Sequence, residues 1–574
     1  MTALAPADAS VRPWIEHYPP GVTWDIKVDT TPVHQQVLAA CAKSPSAIAL
    51  DFLGAETSFG ALGKAINAFA GALQKRLGVK KGTRVALMLP NTPFYVIAYY
   101  GVLRAGGIVV NCNPLYTLPE LTHITSNAGA DILVTLDLKL LFSKAEALCL
   151  AGQVKTIVVC NFVDALPKLK GLLYRIAKAK DLAVVADSPV STKVLYYRDL
   201  IARKDVPAPV AIDPFTDVAV QQYTGGTTGA PKGAMLSHAN ITANLSQIDE
   251  WADRLFFPPS KVVAVLPFFH IFSMTACMNL PLSNGAQVVM LPRFEMKAML
   301  ALLGRTKPNV LLAVPTLLQA LAKAQDVGDK LQSLEIAVSG GASLPNEIRE
   351  AFAKISPVRL AEGYGLTEAS PVVCCAALHV ESKPLSIGQP LPATDIRFAD
   401  LDDPSKTVAL GERGELQVKG PQIMLGYYND EEATKAAFID GWLRTGDVGY
   451  VDADGYVFLV DRIKDLIICS GFNVYPRMIE EALYLHPAVE EANVIGVPDE
   501  YRGEAPVAFI KLRPEAKATA AEIKTFLAEH LNKLELPREV IFKDQLPKTL
   551  IGKLSKKELR EEYKAMKAHK NEPA

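Results

Sequence analysis

Apolar and polar residues alternate along the chain in two patterns that predict helices and strands in succession. In FGALGKAINAFAGALQKRLG, apolar residues recur every three or four positions, which is typical of an amphipathic helix, and Gly78 ends it. Short apolar runs follow as predicted buried strands: VALMLP, IVVNCNP, DILVTL, TIVVCN, VAVLPFF, AQVVMLP, NVLLAVP and EIAVSGG. Strands that alternate with helices predict an α/β fold with largely parallel pairing.

The pattern changes after about residue 385, where glycines and short alternating strands predominate. This predicts an antiparallel β subdomain over about 385–460, with a hairpin turn at Asp454-Gly455. The charged sequence DRIKD, residues 461–465, is the predicted domain boundary, between an N-terminal domain (1–460) and a C-terminal domain (466–574). In the latter, Thr519 and Glu522 predict a capping box at the start of an amphipathic helix.

Composition narrows the class of protein. The chain has 574 residues, 49% of them hydrophobic, and a formal net charge of -1, which gives no support to nucleic-acid binding. The eight cysteines form no CxxC pair, and MTALAPADASVRPW has no basic stretch before an apolar block, so a cytoplasmic protein without a signal peptide is expected. The uncharged stretch 262–292 is broken by prolines and Gly285, which favours buried strands and a helix beginning near His270 over a membrane span.

A glycine- and threonine-rich segment, YTGGTTGAPKGAML (residues 223–236), carries the first chemical signal. Its spacing differs from the Walker A motif, but glycines allow backbone N–H groups to converge on an anion, and a lysine adds a mobile charge. The segment follows a predicted strand, VAVQQY, and precedes a predicted helix, HANITANLSQIDEWADRL. These features predict phosphate binding.

Four further segments follow in order: EGYGLTEASP, GWLRTGDVG, DRIKDLIICSGFNVYP and LPKTLIGKLSKKELR. With the glycine loop they resemble the adenylate-forming superfamily of acyl-CoA synthetases, adenylation domains and luciferases, most closely its bacterial long-chain fatty acid–CoA ligases. The resemblance covers nearly the whole chain. It implies a large N-terminal domain of two α/β subdomains plus the β subdomain, and a small mobile α+β C-terminal domain.

The resemblance implies a reaction in two halves: a carboxylate and ATP give acyl-AMP and pyrophosphate, and the thiol of CoA then displaces AMP. The implied cosubstrates are ATP and coenzyme A, with Mg²⁺ held by Thr224 and Glu368. Thr367 would donate to the α-phosphate. The implied phosphate-binding residues are Thr224, Gly225, Gly226, Thr227, Thr228, Gly229 and Lys232.

The nucleoside would lie between two short segments. Tyr364 is implied to offer an aromatic face to the adenine, with Gly341 and Ala342 as the opposite wall. Further implied ATP-binding residues are Glu362, Gly363 and Gly365. Asp447 would accept hydrogen bonds from the ribose hydroxyls, and Arg462 would add a ribose or phosphate contact. His270 is placed beside the substrate carboxylate by the resemblance, although a histidine among aromatic residues is also typical of a core.

Lys553, on the loop LPKTLIGKLS, is the lysine implied to stabilise the adenylation transition state by bridging the carboxylate and the α-phosphate. Lys464 would be the pivot of a hinge that rotates the C-terminal domain, bringing Gly471, Phe472 and Asn473 to CoA. Met478 stands where the family often has an acid.

The substrate and partners are less sharply indicated. Apolar stretches at 265–282 and 313–345 favour a long acyl chain, while medium-chain, dicarboxylic and aryl acids, or a carrier protein as acceptor, remain alternatives. Residues 166–182, LPKLKGLLYRIAKAKDL, are basic and amphipathic, which is typical both of peripheral membrane association and of an exposed helix. A homodimer also stays open.

Overall fold

The computed structural model describes residues 12–224, 230–470, 472–548 and 554–570, of which 568–570 are described by backbone alone. Helices and strands alternate along its first half, as the apolar pattern predicts. The helices are α1 Val33–Lys43, α2 Phe59–Leu77, α3 Pro93–Arg104, α4 Leu118–Ala128, α5 Lys139–Leu150, α6 Lys168–Ala177, α7 Tyr197–Ala202, α8 His238–Trp251, α9 Leu280–Asn284, α10 Met296–Thr306, α11 Pro315–Lys323, α12 Gly328–Leu331, α13 Asn346–Ala353, α14 Glu431–Ala437, α15 Pro476–Tyr484, α16 Ala520–Ala528 and α17 Lys556–Lys570.

The strands form four sheets. They are β1 Ile48–Phe52, β2 Ala55–Ser58, β3 Arg84–Leu87, β4 Ile108–Asn111, β5 Ile132–Leu136, β6 Thr156–Cys160, β7 Val194–Tyr196, β8 Val218–Thr224, β9 Lys232–Ser237, β10 Lys261–Ala264, β11 Gln287–Met290, β12 Val310–Ala313, β13 Ile336–Gly340, β14 Leu360–Gly365, β15 Val372–Cys375, β16 Gln389–Pro390, β17 Asp395–Ala399, β18 Gly414–Lys419, β19 Gly426–Tyr427, β20 Phe438–Ile439, β21 Trp442–Val451, β22 Val457–Arg462, β23 Ile467–Cys469, β24 Phe472–Val474, β25 Val489–Asp499, β26 Gly503–Leu512 and β27 Glu539–Phe542.

Two large sheets make up the body of the protein, which confirms the predicted α/β fold. One has the order β16-β15-β14-β13-β12-β10-β11-β1-β2, and the other β19-β9-β8-β4-β3-β5-β6-β7. The central pairings of both are parallel, from β1–β11 to β13–β14 in the first and from β8–β4 to β6–β7 in the second. Buried side chains from both sheets belong to one continuous apolar core.

Two smaller sheets follow, which are antiparallel except for the parallel pair β26–β27. Strands β17, β18, β21, β20 and β22 form the predicted β subdomain, and its β21–β22 hairpin turns at Gly455, whose φ is +76°. A side chain at Gly455 would collide with the backbone of Trp14, so glycine is required there. The last sheet has the order β24-β23-β26-β25, with β27 on β26, and it has separate apolar cores. The capping box of α16 is present at Thr519 and Glu522.

The uncharged stretch 262–292 is divided as predicted. Strands β10 and β11 flank a helical segment whose turns widen over Ser273–Asn279, and all three are largely buried. No helix in the described ranges is long and apolar enough to cross a membrane. All eight cysteines are buried and unpaired, and burial raises the pKa of most of these thiols, for example to about 12 at Cys112.

Candidate active site

A cleft of about 1750 Å³ opens where the carboxyl ends of strands from both large sheets meet the β subdomain and the last sheet. Residues at or just beyond the ends of β4, β8, β12, β13 and β14 line it. This is the edge at which open α/β sheets bind ligands. Most of the residues implied in catalysis and nucleotide binding lie here: Thr224, Lys232, His270, Gly341, Ala342, Glu362, Gly363, Tyr364, Gly365, Thr367, Glu368, Asp447, Arg462 and Lys464.

The glycine loop joins two antiparallel strands. Thr224 ends β8 and pairs with Lys232, the first residue of β9, so the lysine begins a strand. The predicted helix α8 starts at His238, the first residue of the stretch predicted to be helical, and follows that strand. The short run KGAMLS was not distinguished from the loop in the sequence. Residues 225–229, which include the predicted Gly225, Gly226, Thr227, Thr228 and Gly229, lie outside the described residues.

Tyr427, which no sequence pattern indicated, contacts two of the predicted residues. Its hydroxyl donates to the Glu368 carboxylate at 2.7 Å, and the Lys232 ammonium lies 5.4 Å from the centre of its ring. Burial and the neighbouring Glu368 raise the pKa of Tyr427, so it stays a donor. Tyr427 therefore holds the predicted metal-binding carboxylate next to the predicted phosphate-binding lysine.

The oxygen donors at this end of the cleft suit magnesium. Thr224 offers a hydroxyl and Glu368 a carboxylate, and Mg²⁺ in nucleotide sites takes few protein ligands because phosphates and water complete its shell. No cluster of three or more His, Cys, Asp or Glu side chains that could hold a metal ion occurs among the described residues.

A second group of side chains surrounds Asp447, which is buried at the end of the β subdomain nearest the cleft. The Tyr364 hydroxyl donates to Oδ2 of Asp447 at 2.5 Å, and Arg462 Nε lies 2.8 Å from its Oδ1. Burial is the main cause that raises the pKa of Tyr364, and the negative charge of Asp447 is the second. Asp447 raises the pKa of Arg462. The predicted adenine- and ribose-binding side chains thus contact one another directly.

The opposite wall is made by two neighbouring parallel strands. Gly340 at the end of β13 pairs with Gly363 in β14, so Gly341 and Tyr364 are the next residues on two neighbouring segments. Gly341 has a φ of +79°, which favours glycine at this position. The Glu362 carboxylate is buried, accepts from Leu344 N–H at 3.3 Å, and has a pKa raised by burial.

His270 lies in the cleft on a turn that is fixed by buried side chains of the other large sheet and its helices. Asn91 accepts from the N–H of Phe268 at 2.7 Å and donates to the carbonyls of Ala264 and Leu266 at 3.1 and 2.8 Å. Gln222 donates to the carbonyl of Phe269 at 2.8 Å. Because buried polar groups are costly to leave unpaired, these bonds define the backbone position of the turn.

Apolar side chains line the part of the cleft beyond His270. Some belong to the two stretches predicted for the acyl chain, including Phe269, Ile271, Phe272, Ala276, Val314 and Val338. Others were missed in the sequence, namely Ile248 and Trp251 of α8, Ala252 just after it, Phe256, Leu378 and Leu391. Helix α8 buries amides as well as apolar residues, so its pattern gave no sign of a pocket wall.

The described residues on either side of the Lys553 segment reach the same cleft. Lys548 and Leu554 form an antiparallel bridge, and both line the cleft. Lys553 itself lies outside the described residues. Lys464 also lines the cleft. Its pKa is lowered mainly by burial and secondly by the positive charge of Arg462.

The residues predicted for CoA are elsewhere. Phe472 and Asn473 are exposed on β24, and neither is among the described residues that line the cleft. Gly471 lies outside the described residues. Met478, at the position where the family often has an acid, is partly exposed on α15.

The predicted nucleotide-binding residues and apolar side chains line one cleft, together with the C-terminal lysines Lys548, Lys556 and Lys557. This arrangement fits the class of enzymes that activate acids by adenylation. Comparison with known families agrees. The model of the AMP-binding enzyme family matches residues 37–428, and that of the AMP-binding enzyme C-terminal domain matches residues 478–553. The chain belongs to this family.

Its relatives include CoA ligases from a bacterium and a plant. It is 39% identical over 554 residues to a long-chain-fatty-acid–CoA ligase of Bacillus subtilis strain 168, covering 96% of this chain and 98% of that one. It is 34% identical over 501 residues to 4-coumarate–CoA ligase 3 of rice, covering 86% of this chain and 84% of that one.

Solved structures show the same fold. ATP-bound MatB from Rhodopseudomonas palustris matches with a TM-score of 0.81 at 27% identity, covering 93% of this chain and 99% of that one. The anthranilate CoA ligase AuaEII in complex with anthranoyl-AMP matches with a TM-score of 0.80 at 26% identity, covering 94% and 98%.

Proposed function

We propose that the protein is an AMP-forming acyl-CoA ligase that activates a long-chain fatty acid and transfers it to CoA. The main support is the single cleft in which residues implied to bind nucleotide, an apolar pocket and both ends of the Lys553 loop come together. Near full-length similarity to long-chain-fatty-acid–CoA ligases supports the substrate class.

In the first half-reaction, an oxygen of the fatty acid carboxylate attacks the α-phosphorus of ATP, and the bond to the pyrophosphate oxygen breaks. Residues 224–232 would bind the β- and γ-phosphates, with Lys232 as a point charge. Thr367 would donate to the α-phosphate. Two anions must approach each other, and the Lys553 ammonium would stabilise the charge that develops between them.

Magnesium would be held by Thr224 and Glu368, with the Tyr427 hydroxyl fixing the Glu368 carboxylate. When bound, it neutralises charge on the phosphate oxygens. Tyr364 with Gly341 and Ala342 would enclose the adenine, and Asp447 would accept from the ribose. Since both oxygens of Asp447 already accept from Tyr364 and Arg462, we expect one of these contacts to be exchanged when nucleotide binds.

In the second half-reaction, the CoA thiolate attacks the acyl carbonyl and AMP leaves. Both ends of the Lys553 loop lie at the cleft while Phe472 and Asn473 are exposed, so the described arrangement fits adenylation. Rotation about Lys464, in the single helical turn Ile463–Asp465, would exchange the two faces of the C-terminal domain.

The acid is proposed to be long because the pocket beyond His270 is lined by apolar side chains from four regions of the chain. Each methylene moved from water to such a pocket contributes about 0.8 kcal/mol. His270 would contact the carboxylate at the entrance, as a positioning and electrostatic group.

We also propose that the protein associates peripherally with a membrane, since long-chain acids partition into bilayers and the segment 166–182 is exposed over most of its length. Flotation of the full chain with membranes, and its release by high salt, would support this. Recovery only in the soluble fraction at low salt would contradict it.

The decisive assay is acid-dependent exchange between ATP and pyrophosphate across a panel of saturated fatty acids, dicarboxylates and aryl acids, followed by detection of the CoA thioester. The proposal predicts exchange that is strongest with long-chain acids, and thioester formation when CoA is added. Exchange without thioester would instead favour a carrier protein as acceptor. No exchange with any carboxylate would refute the proposal.

A further inference from the structure

Helix α6 presents an apolar stripe to solvent. Leu169, Leu172, Leu173 and Ile176 follow the i, i+3, i+4, i+7 spacing of one helix face, and they are 56–72% exposed. A surface helix of a globular protein normally turns such a stripe toward the core. A contiguous exposed apolar patch is typical of an interaction site.

The helix is held in this orientation by its opposite face. Gly171 is buried so closely that an added Cβ would lie 2.9 Å from the carbonyl oxygen of Val163. The ring of Tyr174 packs edge-on against Phe162, with centroids 5.2 Å apart. The Lys170 ammonium donates to the carbonyl of Leu53 at 2.7 Å. The apolar stripe is therefore displayed by a docked helix.

Two further exposed apolar residues lie on segments close to α6 in the chain. Leu138 and Leu182 form an antiparallel bridge, which brings the start of α5 next to the segment that follows α6. Leu140 and Val184, on opposite sides of this bridge, are both more than 60% exposed. The stripe on α6 itself is the surface that we call the α6 face: Leu169, Leu172, Leu173 and Ile176.

The charges beside the α6 face favour an anionic partner. Exposed basic residues flank it, namely Lys139, Lys168, Lys170, Arg175, Lys178 and Lys180. The nearby acids Asp164 and Asp181 are each within 4 Å of one of these cations, with Arg175 and Lys178 as their partners. Asp187 adds one further exposed acid, so the surroundings stay net positive.

We infer that the α6 face docks on an anionic lipid bilayer, with its leucines in the acyl boundary and its lysines at the headgroups. Apolar residues on one side of a helix and lysines around them are the composition that binds membrane interfaces. The inference rests on the proposed function, because a long-chain acid would be drawn from the same bilayer. It adds the contacting residues and the charge of the lipid.

The test is sedimentation of the full chain with vesicles of phosphatidylglycerol and phosphatidylcholine, compared with vesicles of phosphatidylcholine alone. We expect at least about tenfold tighter binding to the anionic vesicles, weakened by salt. The double variant Leu169→Ser/Ile176→Ser should bind at least about tenfold more weakly. The matched control, Leu410→Ser/Leu485→Ser, changes two leucines that are similarly exposed elsewhere and should bind like the unaltered protein.

A charge variant, Lys168→Glu/Lys180→Glu, should lose the preference for anionic lipid, while Lys435→Glu/Lys517→Glu, at exposed sites outside the α6 face, should keep it. Thioester formation from a water-soluble medium-chain acid should be unchanged in all four variants. If the unaltered protein formed no thioester, the proposed function would be wrong, while vesicle binding would still test the α6 face. The inference is overturned by equal vesicle binding of all variants, by binding to no vesicle, or by concentration-dependent dimers that the Leu169→Ser/Ile176→Ser variant abolishes, which would assign the face to a second copy.

Discussion

The two large sheets are joined to each other by contacts of one kind, and the C-terminal sheet is joined to them by contacts of another kind. Between the large sheets run one continuous apolar core and buried neutral hydrogen bonds, such as those of Asn91 and Gln222. Residues 466–570 have cores of their own and meet the body largely through charged side chains, with one small apolar cluster around Tyr475. Lys323 lies 2.5 Å from Glu490, and Arg413 lies over Tyr475.

The difference has a physical consequence. Buried neutral hydrogen bonds are costly to separate, because their groups would be left unpaired. Exposed ion pairs contribute little, because water replaces the partner at small cost. The body should therefore keep its geometry through the reaction, and the C-terminal sheet should be able to leave.

The largest expected effect is a loss of adenylation when Lys553, in the C-terminal part of the chain, is replaced. Lys553→Ala should lower the adenylation rate by at least about 100-fold, because a preorganised cation at the reacting phosphate is lost. Thioester formation from supplied acyl-AMP should change far less. ATP–pyrophosphate exchange and single-turnover thioester assays measure the two halves, with Lys564→Ala, on the exposed side of α17, as the control. Equal loss in both halves would contradict the division of roles.

The second-largest effect is expected on the stability of the body formed by the two large sheets. Asn91→Ala removes three buried hydrogen bonds to the His270 turn and should lower the free energy of unfolding of the body by about 2–4 kcal/mol. Calorimetry should show a lower Tm for the body's transition. The exposed Asn346→Ala is the control and should shift it by less than about 0.5 kcal/mol. An unchanged transition for Asn91→Ala would show that the two sheets are not joined through this turn.

Acid should weaken the same body. His34 of α1 and His238 of α8 are buried 5.8 Å apart, and burial lowers their pKa values to about 3 and about 4. The unfolded chain binds protons near pH 6.5, whereas the folded chain does so only at lower pH. Stability is therefore full above pH 6.5 and is lost as pH falls, by about 0.8 kcal/mol per histidine at pH 6.

Denaturant unfolding between pH 7.5 and 5.5 checks this loss. His34→Gln/His238→Gln should flatten the dependence on pH, even if it lowers stability throughout. The same pH dependence in the variant and the unaltered protein would rule the histidines out.

The smallest effect is expected at the ion pair between body and C-terminal sheet. Lys323→Met should slow adenylation by up to about fivefold, because the Lys323 side chain is about half exposed and the buried Glu490 carboxylate keeps Lys511 as a second partner. A pair that is open to water on one side should contribute roughly 0.2–1 kcal/mol to the arrangement that fits adenylation. In a Glu490→Gln background the same change should have no further effect. The double-mutant cycle on exchange rates measures this coupling. A hundredfold loss would mean that the pair does more than hold the two parts together.

The sequence predicted the parts of this comparison that depend on local pattern. Apolar runs identified the strands of the large sheets, glycine spacing identified the β subdomain, and ordered motifs identified cleft residues such as Thr224, Glu368 and Asp447. Contacts across the fold were not predictable. Asn91 meets its partners 173 to 177 positions later, and Tyr427 meets Glu368 across 59 positions, in a stretch without periodic signal.

Two local features of the structure were also not predicted. The strand that begins at Lys232 was missed because KGAMLS is short and merges with the glycine loop. The contribution of α8 to the apolar pocket was missed because the helix buries amides and threonines as well as apolar side chains.

The burial of every native cysteine makes the proposed motion of the C-terminal sheet accessible to spectroscopy. Since thiolates are the form that reacts with maleimide dyes, buried thiols should label slowly. Cysteines introduced at exposed Lys297 on the body and Leu485 after α15 would then be the reactive pair. Two fluorophores there would report, molecule by molecule, how often the C-terminal sheet turns during each catalytic cycle.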